Sequence, residues 1–194
     1  HLIRDPRDVA RSSIGMGWAG NVYYGVDHWI DTERSWAKLK LNLLDDQYIE
    51  IYFEDLITDP KSVLKGICEF CGVPYADSML NYHENSTYDK PDVSLIYQWK
   101  KKLTRNEVLQ IESKVGEVLE ILKYEPSNYG RFSISSLQKA YLNVQNKLYK
   151  LKFSIRRYGF SLVIRERFSR WFKLTNQKNT VRRKMNEIDR SVIK

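Results

Sequence analysis

Twice within the first 72 residues a short apolar run gives way to an Asp-Pro pair and then to a helix-periodic segment. The first copy runs from His1 to Arg4, then Asp5-Pro6, then a helix expected from Pro6 to about Ile14. The second has a strand from Tyr48 to Phe53, where Ile49, Ile51 and Phe53 alternate with Glu50 and Tyr52, and then Asp59-Pro60. It continues into a helix whose apolar face is Val63, Leu64, Ile67, Phe70 and Cys71, stopped by Gly72. An aspartate before a helix caps its first N–H groups, and proline loses nothing at the first helical position, where its N–H would be unpaired anyway. A left-handed residue, usually glycine, closes such helices. Repeated strand, turn and helix is the grammar of a parallel sheet covered by helices, so an α/β class is expected, with helices outnumbering strands.

Other helices are signalled between and after these units. Trp29, Trp36, Leu39, Leu43 and Leu44 suggest one apolar face. Thr104 with Glu107 forms a capping box before Val108, Ile111, Val115, Leu119 and Leu122. From Ser135 onward Leu137, Tyr141, Val144, Leu148 and Leu151 keep helical spacing among lysines. His1 opens directly onto Leu2 and Ile3, as if a strand were already under way, so the chain is expected to begin inside a domain.

Charge divides the chain at about residue 130. Residues 1–130 hold 15 basic and 21 acidic side chains, whereas 131–194 hold 17 basic and 3 acidic. The expected organisation is therefore an α/β part over 1–130 and a basic, mostly helical extension over 131–194. No apolar stretch reaches membrane-spanning length. Cys68 and Cys71 form a lone C-E-F-C without a second Cys or His pair, which reads as buried thiols rather than a metal site.

The segment H-L-I-R-D-P-R-D-V-A-R-S holds the chemistry. It places Arg4 at the carboxyl end of a strand and Ser12 two turns into the following helix. Ligands of open α/β sheets bind beyond the carboxyl ends of strands, where a helix N-terminus offers N–H groups to an anion. A guanidinium and a hydroxyl there make a phosphate site. The alternative is a well-capped surface helix in which Arg4 and Arg11 both pair with Asp8.

R-D-P-R-D-V-A-R-S resembles the 3′-phosphate motif of sulfotransferases that use 3′-phosphoadenosine 5′-phosphosulfate (PAPS). Y-I-E-I-Y-F-E-D-L-I-T-D-P, I-C-E-F-C-G-V-P, Q-W-K-K-K-L-T-R-N-E-V-L-Q-I-E and L-K-Y-E resemble later landmarks of that family in their usual order. The resemblance covers roughly residues 1 to 125. It implies the C-terminal part of a P-loop-like parallel-sheet sulfotransferase fold, helix-rich, with Arg4 and Ser12 holding the 3′-phosphate of PAPS as co-substrate and no metal. It also implies that the 5′-phosphosulfate loop and the general base lie upstream of residue 1. No G-x-x-x-x-G-K-[ST] occurs in the chain, so the fragment by itself is expected to be inactive.

Two departures bear on the branch. Phe53 stands where the cytosolic branch has a tyrosine that helps hold the adenine, so Phe53 is expected only to stack or pack. Asp92, Val93 and Ser94 stand where that branch has an Arg-Lys-Gly clamp before the tryptophan matching Trp99, with Lys90 or Ser94 as substitutes. These departures favour a bacterial-type member, cytoplasmic, or a Golgi-like one if the source is eukaryotic.

His28 and Glu33 border the region where an acceptor would sit, yet each is expected to be solvated, as is His83 in its polar loop. The implied acceptor is a small molecule or a carbohydrate. For the basic extension three readings stay open. It packs Leu148, Leu151, Phe153, Leu162 and Trp171 on the domain or on a second subunit, or it attracts an anionic acceptor or a membrane surface, or it meets nucleic acid, for which no specific motif exists. Rival functions are a nucleotide-dependent kinase of similar fold and a non-enzymatic basic interaction module.

Overall fold

Ile3, two residues before the Asp-Pro turn, is fully buried, and around it the first strand finds its partner. In the computed structural model, which describes residues 1–84, 86, 90–130, 132–172 and 175–192, β1 (Leu2–Ile3) pairs in parallel with β2 (Ile51–Tyr52). Leu2 lies opposite Ile51 and Ile3 opposite Tyr52. Between them run α1 (Pro6–Gly15), α2 (Val22–Gly25) and α3 (Asp27–Lys40). This parallel pair with intervening helices is consistent with the expected α/β class, in a chain that is mostly helical.

The strand expected over 48–53 is only two residues long, because Phe53 already opens α4 (Phe53–Thr58). Turning there brings the carboxylate of Glu54 back under β1, where it accepts the Asp5 N–H at 3.1 Å. A tertiary contact has overridden the strand propensity. α5 (Pro60–Cys71) follows with both sequence signals in place: Asp59 accepts the Ser62 N–H at 3.1 Å, and Gly72 takes φ +67°. Cys68 is buried on this helix, but Cys71 and Phe70 are exposed, which corrects the expectation of two buried thiols. The helix turns only Val63, Leu64, Ile67 and Cys68 inward.

α6 (Trp99–Lys102), α7 (Arg105–Val115) and α8 (Val118–Ile121) close the first part. Thr104 and Glu107 form the expected capping box. The helix does not run on to Leu122, because Gly116 adopts φ +63° and ψ −140° and breaks it, a conformation open mainly to glycine. Val108, Ile111 and Val115 nonetheless point inward, and Ile111 and Val115 join Ile3, Ala10 and Val26 in one core. The apolar face expected on α3 is only partly real. Trp29 is buried, whereas α3 ends at Lys40, Leu43 and Leu44 lie beyond it, and Leu39 and Leu44 are exposed. Periodicity reveals an apolar face but not whether anything covers it.

The basic extension forms α9 (Ser136–Tyr158), α10 (Phe160–Trp171) and α11 (Thr175–Val192). One face of α9 docks on the glycine-rich turn after α1. The Gly20 N–H donates to Asn146 Oδ1 at 2.7 Å, and Asn21 Nδ2 donates to the Leu142 carbonyl at 2.8 Å. Phe153 packs against Gly17, where an added Cβ would lie 2.2 Å from the ring and where φ is +74°. Arg157 of α9 pairs with Asp189 of α11 at 2.7 Å. Leu148 and Trp171, expected to pack, are exposed.

Candidate functional site

Four of the sequence landmarks meet in one buried polar network beneath the carboxyl end of β1. Asp5 caps α1 by accepting the Arg7 N–H at 2.9 Å, and the same carboxylate receives the Arg7 guanidinium through Nε and Nη2 at 2.9 and 2.8 Å. Arg7 is only 2% exposed. Its Nη1 reaches Glu112 Oε1 at 2.8 Å and the Glu125 carbonyl at 3.0 Å, and the guanidinium lies 3.7 Å from the Trp99 ring centroid. Trp99 donates its N–H to Asp8 at 2.8 Å and its indole Nε1–H to Asp5 at 3.0 Å. Tyr124 donates its hydroxyl to Glu54 at 2.9 Å; burial, and then the Glu54 carboxylate, push its pKa far up.

This network corrects the surface-helix alternative. Neither Arg4 nor Arg11 pairs with Asp8: Arg4 Nη2 donates to the Leu95 carbonyl at 3.0 Å, and Arg11 reaches Gln98 at 3.5 Å. At the N-terminus of α1 the fully buried Asp5 carboxylate accepts the Arg7 N–H, so that donor already faces an internal anion.

Arg4 emerges from β1 with its guanidinium 4.1 Å from the Phe53 ring centroid, so Phe53 does pack, and what it packs against is Arg4. Its carbonyl accepts the Trp29 indole N–H at 2.9 Å. Arg4 Nε is buried without a hydrogen-bond partner, as is Asp8 Oδ2. Burial pushes Asp8 up to about 6, with Asp5 and Glu54 adding to the rise while the Trp99 N–H and Arg4 oppose it. A buried guanidinium N–H without an acceptor is a costly arrangement unless something anionic completes it.

Ser12 lies on the exposed side of α1, in an open cavity of about 550 Å³ also lined by Arg11, Lys102 and Tyr149. Arg4 does not line this cavity, so the two residues singled out from the sequence do not share one recess. Lys102, which donates to Gln98 Oε1 at 2.8 Å, and Arg11 are the cations beside Ser12. The K-K-K run of α6 and the third arginine of the first motif are the sequence signals that could have found them. The suggested substitutes for the missing clamp fare differently. Ser94 is bound to Asp92 through both its N–H and its hydroxyl, at 2.8 and 2.5 Å, and Lys90 is exposed.

Glu33 is buried rather than solvated, 3.4 Å from His1 Nε2, and burial together with Glu50 pushes it up to about 7. His28 is exposed as expected, its ring edge-on to Trp18. His83 is not fully solvated: its Nδ1 is buried without a hydrogen-bond partner. Among the described residues no group of three or more His, Cys, Asp or Glu side chains could hold a metal ion.

Residues 1–77 match the model of the sulfotransferase family, which supports assigning the chain to that family. A protein of Aquifex aeolicus (strain VF5), described as uncharacterized, is 27% identical over 134 residues, 63% of this chain and 17% of the relative. The chain thus spans about a sixth of that relative's length. No solved structure matches it significantly.

Proposed function

We propose that the chain is the nucleotide 3′-phosphate-binding part of a PAPS-dependent sulfotransferase. The observation that carries this reading is the family match over residues 1–77, the segment that contains both Arg4 and Ser12. The unpartnered Nε of Arg4 and the cavity at Ser12, where Arg11 and Lys102 outnumber the one carboxylate of Glu107, support it. In the reaction, the bond between sulfur and the bridging oxygen of the phosphosulfate breaks as sulfur bonds to an acceptor hydroxyl or amine. The acceptor proton passes to a base, and 3′,5′-bisphosphoadenosine (PAP) leaves. Positioning and charge neutralisation dominate such transfers. Arg4, held by Leu95 and Phe53, and Ser12, flanked by Arg11 and Lys102, serve recognition rather than bond breaking. The acceptor is a small alcohol, an amine or a carbohydrate.

Calorimetric titration with PAP tests this on the native chain, Arg4→Ala and Ser12→Ala. Charge-assisted hydrogen bonds contribute about 1.5–3 kcal/mol each, so Arg4→Ala is expected to weaken PAP at least about tenfold and Ser12→Ala less. Equal PAP affinity in Arg4→Ala would refute the assignment. Tighter binding of ATP than of PAP would favour a kinase.

A further inference from the structure

The structured basic extension turns an apolar face outward. Along α10 and its cap, Phe160, Ile164, Phe168, Trp171 and Phe172 are all exposed, Phe160 at 65% and Trp171 at 81%. At about 100° per residue they occupy an arc of about 120°, the width of stripe that a helix ordinarily turns to a core. The core-facing side of α10 is a different one: Val163 and Ser169 are buried where α10 packs on α11 and α9. The outward aromatics also cluster, with Phe168 and Phe172 ring centroids 4.3 Å apart and Trp171 5.5 Å from Phe172.

Charge decides what this face meets. Arg167 and Arg165 fall at the two edges of the apolar arc, both exposed and neither in an ion pair. Of the 3 acidic side chains among the 17 basic ones of residues 131–194, Glu166 and Asp189 are already paired with Arg170 and Arg157. α9 contains no acidic residue at all. A second copy meeting this face with its own α10 would bring cation against cation. A nucleic-acid backbone would take the charge but leave five large apolar side chains in water. An anionic bilayer surface takes both, aromatic rings at the headgroup boundary and arginines on acidic headgroups.

We propose that α10 lies on an anionic membrane surface, with Phe160, Ile164, Phe168, Trp171 and Phe172 inserted and Arg165 and Arg167 on the headgroups. The helix lies on the bilayer and does not cross it, since among the described residues no helix is long and apolar enough to span a membrane.

The test is co-sedimentation of the full chain with phosphatidylcholine vesicles containing or lacking phosphatidylserine. It is repeated for the double variants Phe168→Ser/Trp171→Ser and Arg165→Glu/Arg167→Glu, whose exposed positions leave the packed side of α10 intact. The native chain is expected to bind only the vesicles containing phosphatidylserine. The charge reversals should weaken that binding about twentyfold or more, at about 1 kcal/mol per lost cation before the added repulsion. The apolar double variant should weaken it at least about tenfold. Subtracting the emission of Trp171→Phe from native emission should show Trp171 shifting to the blue on the vesicles. Three outcomes overturn the proposal: no binding by the native chain, unchanged binding by Phe168→Ser/Trp171→Ser, or a Trp171 shift that instead follows protein concentration together with a dimer in sedimentation.

Discussion

Replacing Asp8 by asparagine should stabilise the protein at neutral pH. The carboxylate is 3% exposed, keeps one oxygen on the Trp99 N–H at 2.8 Å, and leaves the other buried with no partner. Its pKa, pushed up to about 6, lies about two units above the ordinary value of about 3.9, and each unit corresponds to about 1.4 kcal/mol. Ionised Asp8 therefore disfavours the folded state by about 3 kcal/mol at pH 7.5 relative to its neutral form. Asparagine keeps the acceptor for Trp99 but places an amide N–H₂ where Oδ2 lacked a partner, which costs about 1 kcal/mol. A net gain of about 1–2 kcal/mol is expected.

The pH dependence follows from the sign of the shift. The folded chain binds the proton more tightly than the unfolded one, so native stability rises as pH falls from about 6 toward about 4, and the advantage of the variant shrinks over that window. Glu33, pushed up to about 7, acts in the same direction in both proteins and cancels in the difference. Urea unfolding of native protein and Asp8→Asn at pH 7.5, 6 and 4.5 reads this directly. If Asp8→Asn is less stable than native at pH 7.5, the carboxylate is stabilising there and the reasoning from its burial is wrong.

Two further substitutions probe the scaffold. Arg7→Ala leaves Asp5 and Glu112 buried without their cation and should lose about 3–5 kcal/mol in urea unfolding; a loss under 1 kcal/mol would mean that the network relaxes or hydrates. Gly25→Ala would place a Cβ 2.3 Å from the Ala10 carbonyl oxygen and should lower stability by about 1–3 kcal/mol through forced separation of α1 and α2, whereas an unchanged melting temperature would show that the contact yields.

The capped helices were legible because their signals are local. Asp5, Asp59, Thr104 and Ser135 each accept an N–H of the first turn that follows. The breaks were less so. Gly116 sits inside a run of helix-periodic apolar residues and breaks it through its own left-handed φ, whereas the early turn at Phe53 depends on contacts made dozens of residues away, of Glu54 with Asp5 and Tyr124. The same distance hid the role of the landmark motifs. Arg7, Trp99, Glu112 and Tyr124 fall in motifs far apart in the sequence, yet they join into one buried network that no spacing rule predicts. For the site, residue type and position marked Arg4 and Ser12, but the cations beside Ser12 come from the same helix and from α6, and only the fold brings Lys102 there.

The proposed function requires this chain to recognise the 3′-phosphate of an adenine nucleotide. Calorimetric titration of the native chain with PAP and then with adenosine 5′-phosphate, which lacks that group, tests it most directly. Binding of PAP at least about tenfold tighter, with the margin lost in Arg4→Ala, is the predicted result. Equal affinity for the two nucleotides would contradict it.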